Sequence, residues 1–147
     1  MPSSTFQVVH EWPNYVATKE VTVAGDTFKV VLTNSTPTAA GTTVLADITP
    51  ITEQNGYTAW APTMTWAETG AGTGIWRLSI GADKTWTASG GNFGPFRYAV
   101  LYDDTTTTPD DAVVGYWDYG SAITVSTGET FTIDVDANFA VYTVTVS

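Results

Sequence analysis

Phe96-Arg97-Tyr98-Ala99-Val100-Leu101-Tyr102, FRYAVLY, is the stretch that decides the fold class. Phe96, Tyr98, Val100 and Tyr102 fall on one side of an extended chain, and Arg97, Ala99 and Leu101 on the other. This two-residue period, carried by aromatic and branched side chains, is that of a β-strand. Working downstream, Asp103 to Asp111 reads as a polar loop and Ala112 to Tyr119 as a returning strand. Ile123 and Val125 follow, then a Thr127-Gly128 turn, then Phe131, Ile133 and Val135. An Ala137-Asn138 turn leads into Phe139 to Val146. Upstream, Lys84 to Ala88 and Ile75 to Ile80 alternate cleanly. Residues 57–69 read as a strand interrupted at Pro62, because proline cannot donate to a central ladder. Residues 42–51 read as a strand or a short turn-like segment. In 19–33, Val21 and Val23, a Gly25-Asp26 turn, and then Phe28, Val30 and Leu32 predict a hairpin. No stretch keeps a helical period for three turns. The expectation is an all-β chain: a single antiparallel β-sandwich, or a partly open barrel, of about nine or ten short strands.

Composition agrees. The chain has 147 residues, with 28 threonines, 13 glycines and 19 aromatics among them. That supplies strand formers and turn formers for one domain and hardly two. Five Lys+Arg against 15 Asp+Glu give a formal charge of −10. This excludes a cationic face that neutralises phosphates, so no nucleic-acid partner is expected. The apolar runs fall far short of the roughly 20 residues that span a bilayer, so no membrane partner is expected either. With no cysteine there is no disulfide and no thiol chemistry. The leading MPSST has no basic region or apolar stretch, and no secretory signal is expected.

Possible chemical sites weigh little. Gly70-Ala71-Gly72-Thr73-Gly74 lacks the Lys-Ser/Thr of a phosphate loop and opens a strand, so it reads as a plain loop. Asp134-Val135-Asp136-Ala137-Asn138 begins like a calcium loop. Phe139 stands where that loop needs glycine, and alternation simply places Asp134 and Asp136 in water. Asp103, Asp104, Asp110 and Asp111 could collect a hard cation, although a solvated loop is the simpler reading. The lone histidine, His10, lies near a terminus, and no nucleophile elbow is present. We expect no enzyme and no cofactor. Asn34-Ser35-Thr36 matches a glycosylation sequon by pattern alone.

Six tryptophans punctuate the chain. Trp76 and Trp86, in alternating strands, are expected to fill the core. Trp60 and Trp66 flank Pro62, and Trp117 stands beside Asp118 and Tyr119. Exposed Trp and Tyr on a β scaffold stack on sugars or anchor protein interfaces. Trp60, Trp66, Trp117 and Tyr119 are therefore interface candidates. So are Phe6, Val8, Val9 and Trp12 in residues 1–18, an N-terminal arm or leading strand before the β-sandwich domain of 19–147. As an arm, this segment would add itself to a neighbour's sheet; as a leading strand, it would open its own.

From Lys84 to Tyr102 the chain reads KTWTASGGNFGPFRYAVLY, followed later by Gly115-Tyr116-Trp117-Asp118-Tyr119-Gly120-Ser121. This block resembles small virion proteins of tailed bacteriophages, and the likeness extends over roughly residues 27–136 with its specific part in W-T-A-S-G-G to R-Y-A-V-L-Y. Within it, Gly90, Gly91, Gly94 and Pro95 bracket a tight connection after Trp86, and Arg97 beside Tyr98 is expected to pair with an acid such as Asp118. The resemblance implies a non-enzymatic head decoration (cement) protein. Its partners would be the major capsid protein and sister subunits in a dimer or trimer. It would sit on the capsid surface after a period in the host cytoplasm. The alternative is a tail-tip or receptor-binding module that contacts host glycans.

Overall fold

A computed structural model describes residues 4–136 and 139–146. The elements are β1 (Gln7–Val8), α1 (Trp12–Ala17), β2 (Phe28–Thr33), a 3-10 turn (Leu45–Asp47), β3 (Met64–Glu68), β4 (Ile75–Ile80), β5 (Lys84–Thr87), β6 (Phe93–Thr107), β7 (Asp110–Val125), β8 (Thr130–Ile133) and β9 (Ala140–Thr145). They form antiparallel sheets in the orders β1-β7-β6-β2, β3-β4-β9 and β5-β8. The sheets pack on one another around a single core, as an all-β sandwich does. Of the expected turns, Ala137-Asn138 lies outside the described residues.

The FRYAVLY strand is the centre of the largest sheet, and it is longer than its alternation suggests. β6 runs fifteen residues and β7 sixteen. From Tyr98 to Asp103 every residue of β6 is buried, so both faces are covered and period two is lost where it would have been polar. The predicted loop Asp103–Asp111 is largely strand. Asp103 pairs with Phe28 on one side and Ala112 on the other, and β6 and β7 close through Thr108-Pro109. Thr106 explains how a polar segment stays inside: its hydroxyl donates to the Asp103 carbonyl (3.1 Å) and accepts the Ala112 N–H (2.9 Å). β7 likewise continues where two strands were expected, with Gly120 at φ 97° absorbing the bend.

The predicted 19–33 hairpin does not form. Its second half is β2, paired with β6, while Thr22 to Asp26 is a local turn. The Asp26 carboxylate accepts the Thr22 N–H (2.6 Å), and the Gly25 and Asp26 amides both reach the Thr22 carbonyl (2.9 Å each). A short polar side chain that captures nearby backbone in this way competes with a ladder.

The N-terminal segment belongs to its own sheet. Gln7 and Val8 pair with Tyr116 and Gly115, and the Val9 N–H donates to the Val114 carbonyl. Gly115 makes this close approach possible, since a Cβ there would meet the Gln7 carbonyl and lie 2.6 Å from the Phe6 ring. Pro13 sits in the first turn of α1, where its missing N–H costs nothing. The helix turns Trp12 and Tyr15 inward. Trp12 packs edge-on against Phe28 (6.1 Å) and Tyr142 (6.4 Å). Val9 and Trp12, expected at an interface, are therefore core residues with no exposed surface.

The tryptophans also sit differently from expectation. Trp86 is buried as expected, but Trp76 is 37% exposed. Trp60 and Trp66, expected outside, are half-buried against the core. Trp60 also exchanges backbone hydrogen bonds with Val30, which fixes it alongside the outer edge of β2.

Candidate functional site: an aromatic cleft over the FRYAVLY strand

The connection from β5 to β6 is built by glycine. Gly91 lies against the Asn55 side chain, so that a Cβ would come within 2.6 Å of its Nδ2. Asn55 in turn donates to the Asn92 carbonyl (2.7 Å), and the Asn92 Oδ1 accepts the Thr127 N–H (3.0 Å). Gly94, at φ 120°, lies against β7, where a Cβ would be 2.8 Å from the Ile123 carbonyl oxygen. Gly90 also has positive φ, with open space around it, and the Gly94-Pro95 bond is cis. Trp86 anchors the start of this connection. Its Nε1–H donates to the Thr58 carbonyl (2.8 Å), and its ring stacks on Phe131 at 6.1 Å.

This scaffold holds Arg97 and Asp118 on neighbouring strands. The guanidinium donates in a two-pronged fashion, Nε to Oδ1 at 2.8 Å and a terminal nitrogen to Oδ2 at 2.9 Å. It also lies 5.2 Å from the Tyr98 ring centroid. The hydrogen-bonded partner raises the Arg97 pKa and lowers that of Asp118. Both side chains remain over one-third exposed, so the pair is a surface fork, open to salt and water.

Beside the fork is a cleft of about 100 Å³. Buried Phe96 and Ile133 form its depth, and half-exposed Trp117, Tyr119 and Phe131 its walls. Phe6 meets Trp117 edge-on at 4.6 Å, and Phe139 closes against both rings at 6.0 and 5.7 Å. Tyr119 packs on Phe131 at 5.8 Å. Ser4 Oγ accepts the Asp118 N–H (3.0 Å), which ties the N-terminal segment to the rim. The fold thus gathers Phe6, Trp117, Tyr119, Arg97 and Tyr98 into one patch. Val8 is adjacent but half-buried opposite Gly115. Trp60 and Trp66 lie elsewhere.

No family model, curated protein or solved structure matches this chain.

The size of the cleft narrows its chemistry. Pockets for small-molecule ligands are typically about 300–1,000 Å³. A space of about 100 Å³ accepts one apolar side chain or a few waters. A broader open groove, about 390 Å³, runs past Val44, Leu45, Ile48 and Pro50 beside Asp110 and Asp111. Trp66 is stacked with Trp76 at 5.9 Å and with Tyr142 at 6.4 Å, a row of rings across β4, β3 and β9.

The acidic stretch takes an unexpected form. Asp104 is bound to Lys29 at 2.8 Å, whereas Asp103 is completely buried. Its Oδ1 accepts the Thr105 N–H (2.9 Å), and its Oδ2 has no hydrogen-bond partner among the described residues. Burial first, and the neighbouring Asp26 carboxyl second, push the Asp103 pKa up to about 7. Among the described residues no group of three or more His, Asp or Glu is arranged to hold a metal ion. Asp134 and Asp136 are exposed, beyond the end of β8; Ala137 and Asn138 of the calcium-like stretch lie outside the described residues.

Phe131 and Phe139 were not flagged as site residues from sequence. Phe131 reaches the cleft wall from β8, and Phe139 packs behind it against Phe6 and Trp117; both are placed by elements distant in sequence.

Proposed function

We propose that this chain is a non-enzymatic structural protein of a tailed-phage particle. In this reading it is a decoration protein that binds the major capsid shell and its sister subunits. One observation carries the reading: Trp117, backed by Phe6, and Tyr119 converge with Arg97, itself paired to Asp118, around a cleft sized for a single side chain. Aromatic anchors around a small pocket, flanked by a solvated charged pair, have the composition of an interface core and its rim. The likeness of the W-T-A-S-G-G to R-Y-A-V-L-Y block to phage virion proteins supplies the partner class. Area is ample. The chain exposes 7473 Å², and a standard interface takes about 800 Å² from each partner. Many copies, each touching more than one shell subunit, would gain avidity from individually weak contacts.

A second reading, a tail-tip module that contacts host glycans, rests on the Trp66–Trp76–Tyr142 row and the exposure of Trp76. One experiment separates the two. Shells lacking the protein are incubated with the wild-type chain and with its Trp117→Ala, Tyr119→Ala and Trp76→Ala variants, and bound copies are counted. Decoration predicts many copies per shell, lost in the Trp117 and Tyr119 variants and kept in the Trp76 variant. Failure of the wild-type chain to bind shells, with retention on host polysaccharide that Trp76→Ala abolishes, would establish the second reading.

A further inference from the structure

With the N-terminal segment seated in its own sheet, a different element is left to reach a neighbour. In the sheet β3-β4-β9, the far side of β9 meets no strand among the described residues. Three other edges are blunted. β2 is bridged along its outer side by Trp60 and Pro50, β3 is preceded by Pro62 and ends on Glu68, and β1 is two residues long. β9 has none of these protections. From Phe139 to Val146, FAVYTVTV, there is no charge, proline or glycine, in a chain whose net charge is −10. An uncharged edge rich in branched and aromatic residues is what soluble proteins avoid unless the edge is used.

The Val146 N–H donates to the Gly74 carbonyl, toward β4 (2.8 Å). Backbone groups alternate sides along a strand, so the Val144 and Tyr142 amides also point to β4, and those of Thr143 and Thr145 point to the open edge. Both threonines are exposed.

We infer that β9 pairs antiparallel with β9 of a second copy about a two-fold axis at Thr143, joining two three-stranded sheets into one. A strand that pairs with itself antiparallel is self-complementary by symmetry, so the outward N–H and C=O of Thr143 meet those of Thr143 in a second copy. The side chains agree with this register. Tyr142 and Val144 share the face that carries Leu78, Trp66 and Trp76. About Thr143, Tyr142 of one copy lies opposite Val144 of the other, and the apolar face that ends at half-exposed Tyr142 continues across the junction. The inference is independent of any virion role, because it concerns the purified chain alone.

Sedimentation velocity over the micromolar range tests it. The wild-type chain is expected at twice its 15.7 kDa mass. Thr143→Pro removes an outward amide without touching the ladder to β4, and is expected to stay folded by circular dichroism and run as a monomer. If that variant unfolds, Thr145→Lys, which puts charge on the same edge, takes its place with the same expected result. The chain has no cysteine, so Thr143→Cys supplies a register test: it should form a disulfide-linked dimer on oxidation, and Thr65→Cys on the opposite edge of the sheet should not. A monomeric wild type, a dimer that survives in a folded edge variant, or a Thr143→Cys protein that stays unlinked overturns the proposal.

Discussion

Asp103→Asn tests the polar interior of the β6–β7 hairpin most directly. Asp103 is fully buried between Phe28 and Ala112, and its folded-state pKa is about 7 against an ordinary 3.8. A raised value means that the folded chain holds a proton which the unfolded chain has released. The associated stability is complete below the ordinary value, falls as pH rises through the interval, and is lost above about 7. Each pKa unit corresponds to about 1.4 kcal/mol, so the loss between pH 4 and pH 8 approaches 4 kcal/mol, less whatever the Asp26 pair shares. With a urea slope of about 2 kcal/mol/M, the midpoint should fall by roughly 1.5–2 M over that range.

Asparagine keeps an oxygen for the Thr105 N–H and, like the protonated acid, brings no charge into the buried site near Asp26. Urea titrations followed by tryptophan fluorescence at pH 4.5, 6 and 8 should show the wild type weakening while Asp103→Asn stays nearly level. At pH 8 the variant should be the more stable protein. Repulsion from the net negative charge also grows with pH, but both chains carry it, so their difference isolates this site. Asp47 and Asp118 act in the opposite sense. Their lowered values, from backbone amides and from Arg97 respectively, contribute stability that is lost as pH drops below the ordinary carboxylate range. Two parallel pH profiles would refute the assignment of Asp103 as a buried, protonated acid.

Gly94→Ala should cost about 1–3 kcal/mol in thermal or urea unfolding, because φ 120° is closed to alanine and its Cβ would press on the Ile123 carbonyl. Gly115→Ala should release β1 while leaving the rest folded, and would be seen as loss of hydrogen-exchange protection at the Val9 amide. Trp12→Ala, which empties a fully buried site between Phe28 and Tyr142, should cost about 3–5 kcal/mol. Arg97→Met should barely move the unfolding midpoint, since its fork with Asp118 is solvated. A large loss there would mean that the pair is more enclosed than its exposure indicates.

What could be read from the sequence followed from local chemistry. Alternation located β4, β5 and β8 to within a few residues and the centre of β6, and the charge of Arg97 on an apolar strand pointed to Asp118, twenty-one positions away. What failed was set by partners distant in sequence. Val21 and Val23 alternate as a strand would, yet among the described residues no strand lies opposite them, and Asp26 claims their turn. Asp103 to Thr107 looked like a loop because nothing local reveals that Phe28 and Ala112 flank Asp103 on either side. Trp76 and Trp66 share one face of one sheet, and their burial differs because the core covers only part of that face.

The same distinction governs the cleft. Trp117 and Tyr119 were legible as aromatics beside an acid. Their partners were not, because Phe6 arrives from β1, Phe131 from β8 and Phe139 from the approach to β9. Gly115 links the two levels. On its own it marks only a weak point in a strand, whereas in the fold it is the gap through which the N-terminal segment docks, seating Phe6 on Trp117 and Ser4 on Asp118. A segment that sequence leaves undecided between arm and strand is thus settled by a missing side chain more than a hundred residues away. Because Phe6 and Ser4 help to build the rim, losing β1 should also weaken whatever binds the cleft. Under the proposed capsid-binding role, Gly115→Ala is therefore expected to reduce capture on shells together with Val9 protection. If protection falls while capture is unchanged, the rim residues of the N-terminal segment lie outside the interface.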